Sequence, residues 1–144
     1  MTILCVCTGN ICRSPMMEYL LDAELKKQGI EATVCGAGTA TMDDMPPTPH
    51  ALTVMREMDV DMSDHKSRQV TQAIADEADV CVVMTPHHGV ELALRYGVNP
   101  EKILMPNGGV PDPYGGSLKQ YRVCRDQLLA ALPVIVEEIK ALCK

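Results

Sequence analysis

The chain has 144 residues, a formal net charge of −6, no Trp or Phe, ten Met and seven Cys. That length predicts one domain spanning residues 1–144 that buries roughly two-thirds of its unfolded surface. The acidic balance argues against a nucleic-acid partner, which requires basic surface. An odd number of scattered cysteines predicts reduced thiols and a cytoplasmic setting. No signal peptide precedes the first strand and no apolar run reaches membrane-spanning length, so no membrane partner is expected.

In chain order, Thr2-Ile3-Leu4-Cys5-Val6 reads as a buried strand, followed by a loop with one glycine. Pro15 suits a first helical position, and Met17, Leu20, Leu21 and Leu25 recur at helical spacing up to Gly29. Ala32 to Cys35 predicts a second strand, closed by Gly36 and Gly38. Pro46, Pro47 and Pro49 punctuate a loop before a helix over about Ala51 to Met58. Asp79 to Met84 is a continuous apolar run, the pattern of a strand covered on both faces. A helix from about Pro86 to Tyr96 and a short strand near Lys102 to Met105 follow. The last helix carries Tyr121, Cys124, Leu128, Leu132, Ile135, Ile139 and Leu142 along one stripe, and Pro133 is expected to bend it or relocate its break. Alternating strands and helices predict an α/β fold with a parallel sheet between helices. Ligands then bind beyond the strands' carboxyl ends, where strand order reverses. Periodicity leaves that order open.

The chemistry concentrates in Cys7-Thr8-Gly9-Asn10-Ile11-Cys12-Arg13-Ser14-Pro15, at the carboxyl end of the first predicted strand. A loop of this kind wraps backbone N–H groups around an oxyanion while the next helix aims its positive end at the same point. Cys7 would lie in that positive potential, which favours thiolate. Arg13 carries a planar fork of donors matched to phosphate oxygens, so phosphate or another oxyanion is the expected occupant. Together they predict phosphoryl transfer to cysteine, which splits one displacement into two easier ones. Each step needs a proton moved, and one carboxylic acid can do both. Asp112, in the Gly- and Pro-rich stretch from Pro106 to Gly116, is the candidate acid; a turn aspartate before proline is its bland alternative.

The segment Cys7 to Pro15 resembles the phosphate-binding loop of the low-molecular-weight protein-tyrosine phosphatase family, matching every fixed position of C-x-G-N-x-C-R-S-P. The family's late aspartate-proline-aromatic triplet appears as Asp112-Pro113-Tyr114. The resemblance implies a single three-layer domain with a four-stranded, parallel, flavodoxin-like sheet and helices on both faces. It implies Cys7, Arg13 and Asp112 as catalytic residues. Thr8, Gly9, Asn10, Ile11, Cys12, Ser14 and Tyr114 then bind phosphate or substrate. Asn10 and Ser14 shape the loop and hydrogen-bond the thiolate, and His65 matches a histidine that braces the loop asparagine. Cys12 matches a second cysteine that captures oxidised Cys7 as a disulfide. The implied partner is a phosphorylated protein, and no cofactor or metal is required.

On substrate, the resemblance points two ways. Ile11 matches the bulky aliphatic of phosphotyrosine enzymes, where a related bacterial branch acting on phosphoarginine has threonine. Asp112-Pro113-Tyr114-Gly115-Gly116-Ser117 is closer to that arginine branch, and Thr39 to Met45 lacks an aromatic that some members place beside the pocket. Phosphotyrosine is the expected substrate and phosphoarginine the alternative. Arsenate reduction on the same fold needs two relay cysteines, but Cys81 falls in a predicted strand and the next is Cys124. A silent phosphate-binding module would lack the nucleophile, arginine or acid. His50, His87 and His88 carry no catalytic spacing, and adjacent His87 and His88 seldom share one metal ion without further ligands. Cys5, Cys7 and Cys12 lack a convincing fourth metal ligand, and Cys5, Cys35, Cys81, Cys124 and Cys143 read as core or surface cysteines.

Overall fold

The computed structural model describes residues 1–143. Four strands, β1 (Thr2–Cys7), β2 (Thr33–Gly38), β3 (Val80–Val83) and β4 (Ile103–Leu104), pair in the order β2-β1-β3-β4. Every pairing is parallel. Five helices connect or follow them: α1 (Arg13–Lys27), α2 (Pro49–Arg56), α3 (Gln72–Glu77), α4 (Pro86–Tyr96) and α5 (Leu118–Leu142). The chain leaves β1 in one direction to build β2 and in the other to build β3, so order reverses at β1. The crevice beyond its carboxyl end is where such sheets bind ligands.

Alternation of side chains along buried strands divides the core in two. Ile3, Cys5, Val80 and Val82 face α1, α2 and α5, while Leu4, Val6, Cys81 and Val83 face α3 and α4. With no Phe or Trp, the first layer is filled by Leu21, Leu25, Leu128 and Ile135 and by Met16, Met17, Met55 and Met62, all essentially buried. Unbranched methionine adapts to the irregular gaps that aromatic rings would otherwise fill.

Five elements differ from the sequence expectation. α1 begins at Arg13, so Pro15 is its third residue; the first N–H groups of a helix have no intrahelical acceptor, and proline there removes no bond. β2 runs on through Gly36 and closes at Gly38. A side chain on Gly38 would lie 2.5 Å from the Thr8 carbonyl oxygen, so the glycine lets the strand end pass under the loop. α3 lacks an apolar stripe long enough to read; Thr71 caps it by accepting the Ile74 N–H at 3.2 Å. α5 continues across Pro133 without a break, because its buried stripe of Leu128, Ala131, Leu132, Ile135 and Val136 packs on both sides of that residue. β4 is shorter than expected, at two residues.

Candidate active site

The loop joining β1 to α1 is held in shape by Asn10. Its φ of 55° is a left-handed conformation that asparagine tolerates better than most residues. Asn10 is fully buried and bonded in four directions. Its Nδ2 donates to Ser14 Oγ at 2.8 Å, and its Oδ1 accepts the Arg68 N–H at 3.1 Å. Its carbonyl accepts from His65 Nε2 at 2.8 Å, and its own N–H donates to Cys7 Sγ at 3.2 Å. The carbonyl can only accept, so His65 carries its proton on Nε2. Burial lowers the affinity of that ring for a second proton. The loop is further tied to β2 and beyond by Thr39 N–H to Cys7 O at 3.0 Å and Thr48 N–H to Ile11 O at 2.9 Å.

Cys7 is 1% exposed at the end of β1. Ser14 Oγ lies 3.0 Å from its sulfur. Because Ser14 accepts from Asn10, its own proton is free to be given to the sulfur, and the Asn10 N–H adds a second donor. Two donors therefore converge on one sulfur. Among the described residues, the N–H groups of Gly9 and Ile11 find no partner within the chain. Burial, with the neighbouring Cys7 and Asp112, pushes the Cys12 thiol far up, and burial pushes Cys81 to about 11 and Cys124 to about 12. Burial raises Cys5 as well, and all four stay protonated at neutral pH.

Arg13 is 3% exposed at the start of α1. Nη1 donates to the Val110 carbonyl at 3.0 Å, and Nη2 lies 3.5 Å from Asp112 Oδ2. Its Nε is buried and without a hydrogen-bond partner among the described residues. A buried guanidinium N–H left unpaired is expensive, and an anion bound in the loop would satisfy it. Asp112 is half-exposed, with Oδ1 taking the Tyr114 N–H at 3.0 Å and the Cys12 thiol at 3.7 Å. The turn geometry therefore uses one oxygen and leaves the other toward Arg13.

These residues surround one pocket of about 180 Å³, with Cys7 and Arg13 at its floor. Thr8, Gly9, Ile11 and Cys12 line it from the loop, and Asp112 and Tyr114 from the far side. Asn10, Ser14 and His65 stand behind the loop and outside the pocket lining. Ser14 is the second residue of α1, whose cap position is held by Cys12. One residue that sequence reasoning passed over belongs to the site: His88, 2% exposed on α4, whose Nε2 lies 2.9 Å from Thr8 Oγ1. The available signal was Thr85-Pro86-His87-His88, in which the third helical residue can fold back on a threonine cap. Among the described residues, no three His, Cys, Asp or Glu side chains gather as metal ligands, and no described helix is long and apolar enough to cross a membrane.

The family model for low molecular weight phosphotyrosine protein phosphatase matches residues 2–143. The chain belongs to that family. It is 32% identical over 147 residues to a protein-arginine-phosphatase of Bacillus subtilis, with 97% of each chain covered. It is 31% identical over 145 residues to a probable low molecular weight protein-tyrosine-phosphatase, EpsP, of Ralstonia nicotianae, covering 98% of this chain and 97% of the relative. Among solved structures, a mutant of the YwlE arginine phosphatase with a phosphorylated active-site serine in place of cysteine superposes with a TM-score of 0.90 at 31% identity. The match covers 97% of this chain and 96% of that one. Membership makes the protein a cysteine-dependent phosphatase on a four-stranded parallel sheet.

Proposed function

We propose that this protein hydrolyses phosphotyrosine in cytoplasmic phosphoproteins, with Cys7 as nucleophile, Arg13 as phosphoryl clamp and Asp112 as acid and base. The Cys7 thiolate attacks phosphorus and the S–P bond forms as the P–O bond to the tyrosine ring breaks. The departing oxygen takes the Asp112 proton. Water then gives a proton to the Asp112 carboxylate and attacks phosphorus, the S–P bond breaks, and phosphate leaves. Arg13 and the loop amides hold the equatorial oxygens and bind them most strongly in the transition state. The neighbour with a phosphorylated active-site serine supports a phosphoenzyme intermediate at the equivalent step.

The observation that carries the substrate choice is the pair Ile11 and Tyr114, which line the pocket above Cys7. An aliphatic face opposite an aromatic one suits a flat aryl ring, and such a stack is worth about 1 kcal/mol. Comparison of kcat/KM on phosphotyrosine and phosphoarginine, for wild type and Ile11→Thr, tests the choice. Wild type is expected to prefer phosphotyrosine and the variant to shift toward phosphoarginine; a wild-type preference for phosphoarginine overturns it. The second reading, phosphoarginine, draws support from the relative named as a protein-arginine-phosphatase and from Gly115 after Tyr114, which leaves that side of the pocket without a second aromatic.

A further inference from the structure

Two residues distant in sequence, Thr8 and His88, form a hydrogen-bonded pair at the pocket that the phosphoryl-transfer steps do not use. The state of the imidazole follows from its partners. The Thr85 backbone N–H donates to His88 Nδ1 at 3.2 Å, and an N–H can only donate. Nδ1 is therefore an acceptor, the ring proton sits on Nε2, and Nε2–H donates to Thr8 Oγ1 at 2.9 Å. The Thr85 hydroxyl, 2.9 Å from Nδ1, can rotate to donate to the same nitrogen. Charging the ring would turn a donor toward the Thr85 N–H. Burial, then Arg13 and His87, hold the ring's affinity for that proton down at about 4, with Asp112 and Glu91 opposing.

The consequence lies on Thr8. Its hydroxyl has two lone pairs and one proton. His88 takes one lone pair; the other lone pair and the proton have no further partner among the described residues. Cys7 and Arg13 are buried at the floor, where phosphate binds, whereas Thr8 is exposed on the lining. A group at that height meets the part of the substrate beyond the phosphoryl group. An aryl ring offers only C–H there. A phosphorylated guanidine offers N–H donors beside the reacting nitrogen, and an oriented hydroxyl oxygen can accept one.

We propose that Thr8 is a specificity residue and His88 its positioning residue, the pair presenting a fixed hydrogen-bond acceptor that favours phosphoryl donors with an N–H-bearing leaving group. This rests on the phosphatase reading and not on which substrate is preferred overall. The pair lets a pocket shaped for an aryl ring also take phosphoarginine.

The test measures kcat/KM on free phosphoarginine and on phosphotyrosine for wild type, Thr8→Val, His88→Leu, His88→Gln and the Thr8→Val/His88→Leu double variant, with thermal melts of each. Because the rim is open to water, the effect is that of one ordinary hydrogen bond. Thr8→Val is expected to lower the phosphoarginine-to-phosphotyrosine ratio about three- to tenfold. His88→Leu should lower the ratio similarly, the double variant should fall no further, and His88→Gln, which keeps an N–H donor, should recover most of the loss. If His88 served only to cap α4, both substrates would decline together along with the melting temperature, and the proposal would be wrong. It is equally wrong if the two single losses multiply in the double variant, or if wild type turns over phosphotyrosine but no phosphoarginine. Should His88→Leu fail to fold, the ratio in Thr8→Val decides alone. A wild type inert toward both substrates, and toward para-nitrophenyl phosphate, would overturn the phosphatase reading and this inference with it.

Discussion

Ser14→Ala isolates a side-chain contact to the proposed nucleophile. Ser14 is fully buried, accepts Asn10 Nδ2–H at 2.8 Å and stands 3.0 Å from Cys7 Sγ. Removing the hydroxyl has two separable effects. The first falls on reactivity: a hydrogen bond to a charged partner contributes about 1.5–3 kcal/mol, which is about ten- to a hundredfold in the rate at which the sulfur attacks. The second falls on stability: Asn10 Nδ2–H loses its acceptor in a buried site, at about 1–3 kcal/mol. Iodoacetamide alkylation of Cys7 at neutral pH, followed by mass spectrometry, reads the first, and urea denaturation reads the second. Turnover of para-nitrophenyl phosphate should fall in parallel with alkylation, through kcat more than KM, since Ser14 does not line the pocket. Unchanged alkylation in a variant that has lost stability would refute the assignment of the Ser14 proton to the sulfur. Unchanged stability would refute the network.

Asp112→Asn should slow turnover of substrates with poor leaving groups by ~10²–10⁴-fold and of para-nitrophenyl phosphate far less, because general acid catalysis matters most where the departing oxygen is basic; equal losses across a leaving-group series would remove Asp112 from that role. Gly38→Ala places a methyl 2.5 Å from the Thr8 carbonyl, a backbone atom that cannot step aside. A loss of about 1–3 kcal/mol is expected by denaturation, with weakened phosphate inhibition as the loop is displaced; wild-type stability would mean that β2 shifts freely. Hydrogen bonds from Arg122 and Arg125 hold the Glu57 carboxyl down at about 2, tying α2 to α5. Since the folded value is depressed, this contribution is present above about pH 4.5 and is lost as pH falls through about 2. The difference in urea midpoint between wild type and Glu57→Gln should therefore shrink on acidification, and a pH-independent difference would refute the pairing.

Much of this protein is written in local order. The run from Cys7 to Pro15 holds the proposed nucleophile, the proposed clamp and the loop-shaping asparagine within nine residues, so their spacing points to one candidate oxyanion site. The apolar run from Asp79 to Met84 marks a strand covered on both faces, as β3 (Val80–Val83) is. Other features were decided only by tertiary packing. α5 runs through Pro133 because burial on either side outweighs the local breaker, and β2 extends to Gly38 because the loop above requires bare backbone there. Asp112 reaches Arg13, and His88 reaches Thr8 across 80 residues, because β1 and β3 lie side by side in the sheet. Hydrophobic period tells which face of a strand or helix is buried, but it carries no information on which strand will be its neighbour. Contacts that depend on strand order therefore become visible only once the sheet is assembled.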